Sequence, residues 1–422
     1  MNRREFLSGL AAVPLTAEAL ASTPFPPAST LPQGKGAVDA SMWIYLWDIQ
    51  DEGFAPALRR LKESGLNALS MATAYHAGKF LLPHNPKRKV YFPEDGTVYF
   101  EPAMRLYGSV RPVASALARN GEGLPKVRRI AAELGLETRA WVVCCHNTPL
   151  GIRHPEIAVR NVFGDPLPHN LCPASPGLRT YLNALVKDIA GNGVRVIELE
   201  ALRYQGYTHG FHHEREGIPL TPAAHFLLGL CFCDACVKGS MAAGVDTDRV
   251  RGFAKSALDE YLRDPQGAGE RLGAVDSLPM DLLDPMLRWR RSAVEVLLEQ
   301  LAATAAASKA AVRPMVSLDA TAARLSGLDP VAARAIAGSV IAMGYVKDGP
   351  ALTGLLAPYL EKVPAKDVTV GFQVGLPESG GKAEFDGRYA AARALGVARF
   401  NFYNYGFIPL ERLAWVKEAV GS

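Results

Sequence analysis

Eight short runs of apolar, β-branched and aromatic residues recur along this chain, each followed by a polar tip and then by a helix-like stretch. Strands that alternate with amphipathic helices are parallel, because each crossover returns the chain to the same end of the sheet. The runs are Met42 to Trp47, Leu66 to Thr73, Thr138 to Cys144, Val194 to Glu200, Pro314 to Leu318, Ser339 to Tyr345, Val368 to Val374 and Val397 to Tyr403. Between them, helical periodicity spans Phe54 to Ser64, Gly123 to Leu134, Pro176 to Asn192, Pro285 to Ser308, Pro330 to Ala337, Pro350 to Lys362 and Lys382 to Leu395. Eight such units predict a closed (β/α)8 TIM barrel over residues 39–422. A doubly wound sheet is the weaker alternative, since no Gly-x-Gly-x-x-Gly turn follows the first run. The stretches 76–122 and 201–284 are too long for plain strand-to-helix loops. They are expected to be insertions after strands two and four, standing over the active face.

The start of the chain carries a different message. Arg3-Arg4 precede Phe6-Leu7, a short apolar run from Ser8 to Leu15, and a small-residue site ending at Ala21. This pattern reads as a twin-arginine signal peptide over 1–21, too short to span a bilayer and followed by a flexible lead-in over 22–38. The expectation is a bacterial periplasmic or secreted protein that meets the twin-arginine translocase during export. An ordinary basic N-terminus is the plain alternative. No later segment reaches membrane-spanning length without charges, so no stable membrane anchor is expected. The net charge of +4 includes the leader's arginines, and no basic run is interleaved with aromatics. Nucleic acid is therefore not an expected partner.

In a barrel the C-terminal strand tips converge on one pocket, however far apart they lie in sequence. Here the tips offer Trp47-Asp48, Tyr75-His76, His146-Asn147, Asp319, Tyr345, Gln373, and Asn401, Tyr403 and Asn404. Flat aromatic faces among amides, imidazoles and carboxylates suit a sugar ring, whose faces are apolar and whose rim is hydroxyl. An oligosaccharide or glycoside is the expected substrate. Phosphate handling would require a glycine-rich loop after strand seven or eight, and Gly375 alone does not supply one; no organic cofactor is expected. In strand four, Glu198 and Glu200 stand two residues apart and share a face. Acids facing the packed helices would be costly, so the lumen is their expected side. Glu200 at the tip is the candidate general acid. Glu198 is a second catalytic candidate, with a buried ion pair to a lumen Arg or Lys as its alternative. The loop beyond strand four adds Arg203, His212 and His213 as substrate contacts, or as plain polar surface.

Six cysteines occur, and Cys231-Phe-Cys233-Asp-Ala-Cys236 is too dense to be unrelated core thiols. With one more upstream, the cluster suits a structural zinc; disulfides are the rival in an oxidising compartment. Cys172-Pro173-Ala174-Ser175-Pro176, followed by a helix containing Tyr181, resembles the Cys-Pro-Asn-Ser-Pro segment of family 42 glycoside hydrolases, the β-galactosidases, and of related barrel glycosidases. In that family a Cys-x-Cys-x-x-Cys cluster follows the strand-four acid. The resemblance, over roughly residues 165–310, implies a zinc on Cys172, Cys231, Cys233 and Cys236. This chain departs from the family where Leu199 replaces the Asn before the strand-four Glu, and where Gln373 replaces the nucleophilic Glu of strand seven. A second carboxylate must then come from Asp319, Asp48 or Glu378, because both glycosidase mechanisms use two.

The sequence therefore points to an exported glycoside hydrolase-like enzyme, with Glu200 as acid, Asp319 as base or nucleophile, and Trp47, Tyr75, Tyr345 and Tyr403 as the sugar platform. The alternatives are a carbohydrate-binding barrel without turnover and a metal-dependent isomerase or deacetylase built on His76, His146, Glu200 and Asp319.

Overall fold

The computed structural model describes residues 38–208 and 214–421. The expected signal peptide, all but the last residue of the expected lead-in, and His212 and His213 lie outside them. The barrel strands are β1 (Asp39–Ile44), β2 (Ala68–Tyr75), β3 (Glu137–Val143), β4 (Val196–Glu200), β5 (Ala311–Val316), β6 (Val340–Met343), β7 (Val368–Gln373) and β8 (Arg399–Tyr403). Each pairs in parallel with its neighbours, and β1 pairs with both β2 and β8, which closes the ring. The (β/α)8 expectation holds. One outer helix follows each strand: α1 (Phe54–Glu63), α2 (Leu124–Glu133), α3 (Pro176–Gly191), α4 (Met280–Ala307), α5 (Pro330–Ala337), α6 (Gly349–Leu360), α7 (Lys382–Ala394) and α8 (Leu413–Gly421).

The strand sequences dictate this layering. Met42 and Ile44, Leu69 and Met71, Ile197 and Leu199, Val370 and Phe372, and Phe400 and Phe402 alternate with the inward positions, and all are buried. The apolar stripe of α7 meets them, with Tyr389 on Phe400 and Phe385 on Phe402.

Residues of the other parity fill the barrel in layers. The lowest holds Asp39, Arg139, Arg313 and Arg399; Arg139 donates to Asp39 at 2.6 Å. Burial pushes the Asp39 carboxyl up, but Arg139, backed by Arg313 and Arg399, more than reverses this and leaves it below the usual carboxylate range. The next layer is centred on Glu198. Trp43 Nε1 donates to it at 2.9 Å, Ser70 Oγ at 2.8 Å and Asn401 Nδ2 at 3.0 Å. Gly371 is the close approach here, since a Cβ would meet the Trp43 ring at 2.7 Å.

The connections after β2 and β4 are elaborated as expected, and a third insertion, residues 144–175 after β3, adds a short helix (Thr148–Arg153) and a hairpin (Ala158–Arg160 with Pro166–Leu171). The β4 insertion is helical and carries a core of its own, including Leu227, Phe232, Val250, Leu258 and Tyr261. α4 begins at Met280, not at Pro285, which lies inside the helix. The hydrogen bond that proline forgoes is offset by Leu283 and Met286, buried against the insertion's core.

Candidate active site

β1 ends at Ile44, three residues earlier than its apolar run suggests, because Asp39 and Ala40 already pair with Arg399 and Phe400. Trp47 and Asp48 consequently fall in a short helix, Leu46–Glu52. Trp47 is fully buried and stacked on Tyr45, with ring centroids 4.3 Å apart. The Asp48 carboxylate accepts from the Tyr45 N–H at 3.1 Å and lies under Gly406, where a Cβ would come within 2.5 Å of it. Neither residue reaches the cavity. Asp48 is thereby withdrawn as a second acid, and burial raises its carboxyl well above the usual range. Asn401 is held in the interior beside Glu198, and Asn404 caps the Tyr405–Phe407 turn by accepting from Gly406 N–H at 3.0 Å. Asn147 caps the Thr148–Arg153 helix and donates to the Gly96 carbonyl. All three were expected at the ligand, and all three are spent on backbone or interior bonds.

A cavity of about 490 Å³ opens at the C-terminal ends of β4, β5 and β6, within the range of small-molecule sites. Glu200, Arg203, Asp319 and Tyr345 line it with Met315, Leu318, Met343 and Leu355. Glu200 closes its strand, and Trp141 Nε1, from β3, donates to its carboxylate at 2.5 Å. Burial pushes the Glu200 carboxyl up, while His76, the Trp141 bond and Arg203 pull the other way; the net direction is upward. Tyr75 and Tyr403 stand close enough to feel the Glu200 charge, and the Tyr45 hydroxyl lies 3.1 Å from that of Tyr75 and 3.4 Å from that of Tyr403. Tyr75 stacks on His76, whose ring meets His146 edge-on at 4.8 Å. Both imidazoles are oriented through Nδ1, His76 to the Ala77 carbonyl and His146 to that of His169. Gln373 ends β7 and is half-buried, its carbonyl accepting from Ser379 Oγ and Arg388.

Asp319 lies three residues beyond β5, on the exposed rim, and its side chain caps the Ala320–Ser326 helix by accepting from Ala322 N–H at 2.7 Å. Glu198 does not reach the cavity; three neutral donors occupy it one layer below, in place of the ion pair weighed for it. Trp141 was not singled out from sequence. Its signal was its parity: it registers opposite Glu198 and shares the inward face with Arg139.

Beyond Glu200 the chain turns sharply. Ala201 adopts a left-handed conformation (φ 55°), uncommon and strained for a residue with a Cβ. Its carbonyl accepts from Cys145 N–H, Arg203 N–H and Gln205 Nε2. This tight turn carries Arg203 back over Glu200.

Away from the cavity, the sulfurs of Cys236, Cys233 and Cys231 lie 3.4, 3.6 and 3.8 Å from that of Cys172. All four are buried, and their separations exceed a disulfide bond of about 2.05 Å. Tetrahedral zinc with bonds of about 2.3 Å sets its sulfurs roughly 3.8 Å apart, so the donors fit such an ion. Arg290 is buried over the Tyr204 ring at 4.3 Å and within range of the sulfurs, a cation where four thiolates would need one. Among the described residues these cysteines are the one metal-capable group of three or more donors. His76, His146, Glu200 and Asp319 do not come together as another such group among the described residues.

No protein-family model and no curated protein matches the sequence. Solved structures do. The glycoside hydrolase domain of PgaB (BpsB) from Bordetella bronchiseptica superposes with a TM-score of 0.57 at 11% identity, over 88% of this chain and 95% of that one. The catalytic domain of β-amylase from Paenibacillus polymyxa gives 0.55 at 13%, over 91% and 98%. A β-galactosidase from Marinomonas ef1 gives 0.56 at 9%, over 91% of this chain and 59% of that one. The barrel fold is shared with these hydrolases. At such identities the likeness is one of fold.

Proposed function

We propose that the chain is an exported glycoside hydrolase-like enzyme in which Glu200 is the general acid. The observation that carries this reading is the setting of one carboxyl: it ends β4, borders the cavity, is held by Trp141, and has its pKa raised by burial. A carboxyl so placed holds its proton to a higher pH than an exposed one and, in its acid form, can deliver it to the glycosidic oxygen as the C–O bond breaks. Asp319, on the rim of the same cavity, is the base that takes a proton from the attacking water, or the nucleophile itself. Tyr345 lines the cavity, and Tyr75, Tyr403 and His76 stand around Glu200 behind it, with His146 against His76; in this proposal they are the aromatic and hydrogen-bonding groups that meet the sugar. The glycoside hydrolase neighbours support the reading at the level of fold. Cys172, Cys231, Cys233 and Cys236 hold a structural zinc in this proposal, remote from the chemistry, and the Arg3-Arg4 leader routes the folded chain through the twin-arginine translocase.

Glu200→Gln is expected to abolish release of reducing ends from a panel of oligosaccharides while melting temperature stays within about 1 °C, since the amide still accepts from Trp141. Retained turnover removes the proposal. A carbohydrate-binding barrel without turnover is the second reading, and one observation favours it: no second carboxyl stands among the groups acting on Glu200. Calorimetric binding with no reducing ends released by the wild-type chain decides for it.

A further inference from the structure

Arg203 is the cation that the mechanism above leaves unused. It lines the catalytic cavity and also a neighbouring one of about 440 Å³, so it stands on the wall between them. Burial depresses its pKa, and Glu200 and Cys145 pull it back up. Yet its guanidinium bonds no acceptor among the described residues and makes no ion-pair contact with Glu200. A half-buried guanidinium without a protein partner is costly to hold on a cavity wall; Arg139, by contrast, is paired with Asp39, while Arg313 in the barrel interior shares the unpaired state. The strained turn at Ala201 spends further free energy on putting Arg203 there. Both costs make sense if the partner arrives with the ligand.

The surroundings agree in sign. Arg203 is the one cation among the residues lining the cavity, beside Glu200 on the inner wall, with Asp319 engaged with Ala322 N–H on the outer rim. A groove of about 380 Å³ continues from the cavity, sharing Leu318 and Leu355 with it. It carries Arg288, Arg291, Arg324 and Lys362 against Asp284 and Asp329. Arg324 pairs with Asp284 and Arg291 with Asp329, which leaves Arg288 and Lys362 to face solvent. The path into the site is therefore net positive.

We propose that the sugar held against Glu200 is a hexuronate, its carboxylate gripped by the fork of Arg203, which sets specificity. Two parallel N–H donors match a planar carboxylate, whereas a neutral hydroxymethyl group in the same place would leave the guanidinium unpaired. The assignment rests on the carbohydrate-acting reading of this site and names its substrate class.

The test is equilibrium binding, read by ligand-observed NMR or calorimetry, of glucuronate and galacturonate against glucose and galactose, with glucose 6-sulfate as a second anion. The purified chain is expected to bind one uronate at least about tenfold more tightly than its neutral parent, the scale of one charged hydrogen-bonded pair. Arg203→Gln should bring the two within about twofold while the neutral sugar's affinity holds, and Arg203→Lys should fall between. Equal wild-type affinity for acidic and neutral sugars overturns the proposal. So does an Arg203→Gln loss that strikes both alike, or a preference for the sulfate ester over both uronates. Binding is read without turnover, so the two readings fail separately. Uronate preference with catalysis surviving Glu200→Gln sinks only the acid assignment, whereas Glu200-dependent cleavage of neutral glycans alone sinks only this one.

Discussion

Trp141→Phe tests the electrostatics of the candidate acid at a single bond. The substitution keeps an aromatic ring in the β3 layer but removes the Nε1–H that donates to Glu200 at 2.5 Å. A hydrogen bond to a charged acceptor is worth about 1.5–3 kcal/mol and one between neutral groups about 0.5–1.5 kcal/mol. The bond thus favours the carboxylate over the carboxylic acid by about 1 to 1.5 kcal/mol, close to one pKa unit. Losing it should raise the Glu200 pKa by about one unit above a value that burial already lifts. The sign follows from the role. A general acid works protonated, so its rate falls as pH rises through its pKa, and the alkaline limb of the pH–kcat profile should move about one unit higher. The carboxyl's own titration, followed by carbon-13 NMR with Glu200→Gln as the assignment control, should move equally and requires no substrate. A limb or titration that stays put, or moves lower, refutes the claim that this bond tunes Glu200.

Three further outcomes are expected. Elemental analysis of the purified chain should find one zinc, and Cys233→Ser should lower both that stoichiometry and the melting temperature, whereas a disulfide-bonded cluster would show two fewer free thiols and no metal. Asp39→Asn should cost about 1.5–3 kcal/mol at pH 7, because it removes one of the two carboxylates bonded to Arg139, Glu137 being the other. The folded pKa of Asp39 lies below its unfolded value, so its contribution is complete above about pH 4 and fades as pH falls through the folded pKa; urea unfolding at pH 7 and pH 3 should show the mutant's deficit shrinking. Arg313→Met should leave stability unchanged or raise it, since its guanidinium is fully buried with none of its nitrogens bonded to the protein, and a melting temperature well below wild type would contradict this.

The ring was legible because its strands are short apolar runs at regular intervals, and alternation survives small errors in strand ends. The site was only partly legible for the same reason. A three-residue displacement of β1 moved Trp47 and Asp48 from a tip into a buried helix, and tip residues with amide side chains proved to be caps. Asn147 and Asn404 bond backbone N–H groups of the turns they start, a task that amides perform as readily as ligand binding. The position of Glu200 at the cavity was legible because an acid at the last position of a barrel strand has one open direction. Trp141 was passed over because a tryptophan inside a strand reads as packing. Arg203 was read only as one substrate contact among the loop residues, since a left-handed turn at an alanine leaves no mark in sequence.

The cysteine cluster has a topological consequence for the strand that matters most. Cys172 and Cys231 are 59 positions apart, and the chain between them contains α3, β4 and Glu200. One ion held by the four sulfurs would tie that stretch into a loop, and for a cross-link of this span the reduction in unfolded-chain entropy is about 4 kcal/mol. Of the eight staves of the barrel, the one bearing Glu200 would thus be the one whose unfolded excursions such a hoop curtails.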